Sequence, residues 1–172
     1  MNSKGSKEKS AKSIGSPYNT STKLVAGIDP DLVTRADQIR ANMHVCDEKQ
    51  RGMLDRIGVA SLDVALIKQK LTFVRSPKDK QKILMLVKRI TKVAELEQNL
   101  QTEMEDIAEN QRLLALGTRI SVQKELFAGV ELRIGELTQI VNDDEATVSF
   151  GVTQNDEELS IQMGPYQGPK RG

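Results

Sequence analysis

Apolar residues follow two rhythms along this chain, and the change between them divides it. From Leu32 they recur in alternating steps of four and three: Leu32, Ala36, Ile39, Met43 and Cys46, then Gln50, then Met53, Ile57, Ala60, Val64, Ile67, Leu71 and Val74. Only Gln50 breaks the rule. Such a seam is one face of a helix that needs a partner, since a lone apolar stripe stays in water. Asp29-Pro30-Asp31 supplies an N-cap, a proline at the first helical position and an early carboxylate. Ser76-Pro77 ends this helix, because the residue before a proline is pushed out of the helical region. Ser76 then caps a second helix, with Pro77 at N1 and Asp79 at N3. Its seam runs Ile83, Leu86, Ile90, Val93, Glu97, Leu100, Met104, Ile107, Gln111 and Leu114, and Gly117 closes it. Gly52 and Gly58 each cost about 1 kcal/mol against alanine, which predicts a soft middle in the first helix. Two helices joined by one or two residues must fold back on each other. The spacing therefore predicts a long antiparallel two-helix coiled coil over 29–117, roughly 60 to 70 Å long at ~1.5 Å per residue. The plainer alternative is the core of a compact bundle; narrow stripes and charged flanks favour the coiled coil.

After Gly117 the period becomes two. Ile120 and Val122, then Val130, Leu132 and Ile134, then Ala146, Val148 and Phe150, and finally Leu159, Ile161 and Met163 alternate with polar residues. Gly129, Gly135, Asn142-Asp143-Asp144 and Asn155-Asp156 punctuate them as turns. Ahead of the helices, Lys23 to Ile28 reads as one more strand. Strands this short need neighbours, and a hairpin returns the chain near its point of departure. The fold class expected is α+β, with the coiled coil inserted into a small β structure made of 11–28 and 118–163. Residues 1–10, rich in Ser and Lys, are expected to be a disordered polar leader, and 164–172 a flexible tail.

Composition narrows the function. The chain has 172 residues, 25 basic and 24 acidic side chains, and a formal net charge of +1, so the whole molecule is no polycation. Aromatic residues make up 3%, with no Trp, which argues against a reader that stacks bases. Cys46 is the single cysteine and forms no internal disulfide, which suits a reducing compartment. No secretory signal and no membrane-spanning run stands out.

Certain stretches resemble a known family. Ala11-Lys12-Ser13-Ile14-Gly15-Ser16, Thr20 to Thr22, and Leu24-Val25-Ala26-Gly27-Ile28-Asp29-Pro30 resemble the segment entering the coiled coil of the flagellar assembly protein A (FapA-like) family. Ile120-Ser121-Val122 and Ala128-Gly129-Val130-Glu131-Leu132-Arg133-Ile134-Gly135, through to Val148-Ser149-Phe150, are similar to the segment on the far side of that coiled coil. The resemblance implies a partial right-handed β-solenoid interrupted by a coiled coil. It also implies a non-enzymatic scaffold or adaptor in flagellar assembly or polar organisation, in the bacterial cytoplasm or at the cell pole. Family members carry a longer solenoid and a domain ahead of it, so the chain is expected to correspond to the C-terminal part, as a fragment or a short form. An incomplete solenoid exposes an unpaired end, which leaves self-association open.

The residues themselves offer little catalytic chemistry. His44 is the only histidine, which removes His-based triads and multi-histidine metal sites. His44 and Cys46 lie about 200° apart around a helix, with Cys46 on the seam and His44 on the surface. No phosphate-binding glycine loop or calcium-loop spacing occurs, and the acidic runs at Asp143 and Asp156 read as turns. No catalytic residue, cofactor or metal is expected.

Charge segregation says more. Residues 68–92 hold Lys68, Lys70, Arg75, Lys78, Lys80, Lys82, Lys88, Arg89 and Lys92 against Asp79 alone. Residues 95–109 hold Glu95, Glu97, Glu103, Glu105, Asp106 and Glu109 and no base. Antiparallel pairing is expected to set Lys49, Arg51 and Arg56 against that acidic stretch. The tip has no such internal partner, which makes Lys70, Phe73, Arg75, Lys78, Lys80 and Lys82 the candidate contact site for an acidic protein surface. A merely solubilising tip is the plain alternative. A nucleic-acid-binding helical hairpin, with the same cations on phosphates, is the competing function.

Overall fold

In the computed structural model, residues 8–15, 22–156 and 158–168 are described. The elements run β1 (Glu8–Ile14), β2 (Lys23–Ala26), α1 (Pro30–Ile57), α2 (Val64–Phe73), α3 (Pro77–Leu116), β3 (Arg119–Leu126), β4 (Glu131–Ile134), β5 (Leu137–Ile140), β6 (Glu145–Asn155) and β7 (Glu158–Pro165). They form two compact units. One contains the described residues up to Val33 and from Ala108 onward; the other is Thr34–Ile107.

The β unit repeats one path. The chain lays β1 in one sheet and β2 in another, leaves for the helices, and returns to lay β3 beside β1 and β4 beside β2. Both of these pairings are parallel, with Ala11 opposite Val122 and Val25 opposite Arg133. β5 then pairs with β4, β6 with β3 and β7 with β6, all antiparallel. The results are a four-stranded sheet β1-β3-β6-β7 and a three-stranded sheet β2-β4-β5. One buried cluster draws on both sheets, with Ile14, Val122, Leu126 and Phe150 from the first and Ala26, Leu132 and Ile134 from the second. Val122, Leu132, Ile134 and Phe150 are positions of the expected alternation, whereas Leu126 joins the core without having been marked by it. Gly27 and Gly135, each one residue past a paired strand end, both take positive φ, 67° and 60°. The Gly135 N–H donates to the Ala26 carbonyl at 3.0 Å, locking the two corners together.

Several boundaries differ from expectation. Strand β1 begins at Glu8, inside the stretch expected to be a disordered leader, because the β3 backbone offers it a parallel partner; the rest of that expectation, at 1–7, lies outside the described residues. Residues 164–168 are not a free tail. β7 runs to Pro165, and the Ser149 hydroxyl accepts the Gln167 N–H at 2.9 Å while Ser121 Oγ donates to the Gln167 carbonyl at 3.0 Å. Leu137–Ile140 is an additional strand. Ala146 and Met163, placed on inward faces by the alternation, are exposed.

In the helical unit the expected single rod from 29 to 75 is two helices. Gly58 takes φ 77°, its N–H bonds the Asp55 carbonyl at 3.0 Å, and the Val59 N–H bonds the Leu54 carbonyl at 3.2 Å. Those bonds, with Val59 and Leu54 packed against one cluster, make a Schellman stop. Asp63 then caps α2 by accepting the Ala65 N–H at 2.7 Å. Ser76 caps α3 as expected, Oγ accepting the Asp79 N–H at 3.4 Å. Gly117 comes after α3 without a left-handed turn; the Thr118 hydroxyl instead donates to the Leu114 carbonyl at 2.6 Å. Within this unit α1 and α3 run antiparallel, since Arg35 meets Glu103, Gln50 meets Glu97, and Ile57 clusters with Ile83 and Ile90.

Candidate functional site

The tip residues fall on two helices and the connection between them, and the structure does not gather all of them. Lys70 lies in the last turn of α2 and is half-buried. A Cβ built on Gly58 would stand 2.9 Å from its Nζ, so the ammonium lies over the C-terminal end of α1. Carbonyl dipoles converge there, and a cation is favoured. Phe73 ends α2 with 75% of its surface exposed. It borders a cleft of about 260 Å³ with Val59, Leu66 and Lys70. Arg75 is exposed in the connection to α3.

Lys78, Lys80 and Lys82 are exposed in the opening turns of α3. Lys78 and Lys82, four apart, share one side; Lys80 lies about 200° from each and faces away. Lys82 is held by Asp79 at 3.1 Å. Among the described residues Arg75, Lys78 and Lys80 make no ion pair. They are also unfavourably placed, because a helix N-terminus repels cations.

The expected pairing of Lys49, Arg51 and Arg56 with the acidic stretch is overturned. Arg51 pairs with Asp47 of its own helix at 2.6 Å, and Lys49 and Arg56 border a groove shared with Arg89 and Lys92. The cause is the break at Gly58. Chain spent on α2 and its two connections lies at the tip, so α3 slides relative to α1 and basic residues meet basic ones. The ion pair between α1 and α3 is instead Arg35–Glu103, with nitrogen–oxygen distances of 2.6 and 2.8 Å. These bonds, against a smaller opposing effect of desolvation, hold the Glu103 carboxyl below its ordinary range and raise Arg35. Cys46 is buried on the seam and His44 is exposed. Among the described residues no group of three or more His, Cys, Asp or Glu could hold a metal ion, and no helix is long and apolar enough to cross a membrane.

Two parallel strand pairs capped by antiparallel strands, with a cation-rich helical unit between β2 and β3, define a β-coil protein carrying a helical insertion. The family model for the flagellar assembly protein A beta solenoid domain matches residues 2–158, and the chain belongs to that family. No curated protein and no solved structure matches it.

Proposed function

We propose that this chain is a non-enzymatic scaffold of bacterial flagellar assembly, working in the cytoplasm or at the cell pole. Family membership over residues 2–158 carries the flagellar part of the reading. Residues 11–28 and 118–163 form the part that docks or assembles. Within residues 29–117, α1 and α3 pair antiparallel, and the basic end that carries α2 and the start of α3 meets an acidic protein surface. The tip is supported by its unbalanced charge: Arg75, Lys78 and Lys80 lack carboxylate partners among the described residues, and Phe73, two positions before Arg75, stands exposed as an apolar anchor.

Deleting the gene from its host should lower the number of flagella per cell, with recovery on return of the wild-type gene. Unchanged flagellation in the deletion strain would remove the flagellar reading. The nucleic-acid alternative is separated by titrating the protein with single-stranded RNA and duplex DNA at low and moderate salt. Phosphate binding falls steeply over that range, whereas the scaffold reading expects no binding at moderate salt.

A further inference from the structure

Away from the tip, the groove between α1 and α3 has a volume of about 500 Å³. Lys49 and Arg56 on one helix and Arg89 and Lys92 on the other stand around it, while Gly52, Met53 and Val93 supply its apolar part. None of the four cations forms an ion pair among the described residues. A Cβ on Gly52 would meet nothing within 4 Å, so the centre has room.

Helical spacing extends both walls. Residues 45, 49, 52 and 56 share one face of α1, and 85, 89, 92 and 96 share one face of α3. Val45, Met85 and Leu96, on those faces, are 43%, 54% and 51% exposed. This surface is therefore an apolar trough with four fixed-sign charges at its middle.

We infer that the groove docks an acidic amphipathic helix of a partner protein, its apolar stripe along Met53 and Val93 and its carboxylates on the four cations. Two antiparallel helices present a furrow that a third helix fills by ridge-into-groove packing. Charge complementarity fixes the sign of that helix. A second copy docked face to face would set four cations on four cations. Nucleic acid is disfavoured because no aromatic side chain borders the groove for bases to stack on. The site is separate from the tip, since Phe73, Arg75, Lys78 and Lys80 do not line it.

The test uses the full chain and a fluorescein-labelled synthetic peptide of about 18 residues, roughly 27 Å as a helix. The peptide has Leu at three- and four-residue steps and Glu elsewhere; a control has the same composition in scrambled order. Fluorescence anisotropy at moderate salt should show the amphipathic peptide binding about tenfold or more tighter than the scramble. Arg89→Glu with Lys92→Glu should weaken binding at least about tenfold. Gly52→Phe should do the same with no change of charge, and its open surroundings let it fold, as circular dichroism would verify. Lys124→Glu, at an exposed position of β3 that does not line the groove, should leave the affinity unchanged. Equal binding of the scramble, or a Gly52→Phe protein that binds like wild type, would overturn the inference. So would a dimer in sedimentation that Gly52→Phe dissolves, which assigns the groove to a second copy, or RNA that binds the groove and displaces the peptide.

Discussion

Gly52 and Gly58 carry the same nominal helix penalty, yet alanine should act on them in opposite senses. Gly52 sits inside α1 with open space around its Cβ position, so Gly52→Ala should stabilise the protein by about 1 kcal/mol. Gly58 holds φ 77° and crowds Lys70, so Gly58→Ala should destabilise it by about 1 kcal/mol or more. Urea unfolding of the two variants reads both signs. Composition could not separate the two glycines, because they differ in φ and in whether the helix continues beyond them. The polar seam positions teach the same lesson. Gln50 and Glu97 each interrupt an apolar run in the sequence, and in the structure the Gln50 amide donates to the Glu97 carboxylate. Each interruption was visible, but that they meet was not, since it depends on the register between helices. Gln50→Leu leaves that carboxylate half-buried without its donor, with an expected loss of about 1–3 kcal/mol in the same assay.

Among the elements, α3 and the strands around 120–134 were legible because one period and one set of caps spoke alone. The stop of α1 was masked. Ala60 and Val64 keep the four-three phase across the break, so the heptad pattern runs through a stop that Gly58-Val59 and the Asp63 cap together impose. An unbroken rod places Lys49 and Arg56 beside the acids; the broken one places them beside Arg89 and Lys92, which moves the candidate site. The observed register has a pH signature. Glu103 titrates below its ordinary range in the folded protein, chiefly through its hydrogen bonds to Arg35. A lowered folded value means that the pair stabilises the fold above the unfolded glutamate range, and that this contribution disappears as pH falls through the folded value. Wild type should therefore exceed Glu103→Gln in stability at neutral pH, with the gap closing under acid conditions. Both side chains are largely in water, so added salt should shrink the gap as well.

For the whole molecule, short strands that need neighbours and a hairpin that returns the chain to its point of departure carried the idea of strands before and after the helices sharing one β structure. Periodicity alone could not show which strands pair, because parallel partners here are separated by the entire helical unit. The stacked corners hold that arrangement. A Cβ on Gly135 would meet the Ala115 Cβ at 2.9 Å at a φ of 60°, so Gly135→Val should cost about 2 kcal/mol or more by thermal or urea unfolding. The central claim concerns what the insertion does, and it is tested most directly in the host. A strain whose own copy is replaced by the Arg75→Glu, Lys78→Glu, Lys80→Glu variant should make this protein at the normal level yet carry fewer flagella per cell under electron microscopy. Full flagellation with that variant at normal abundance would contradict the account.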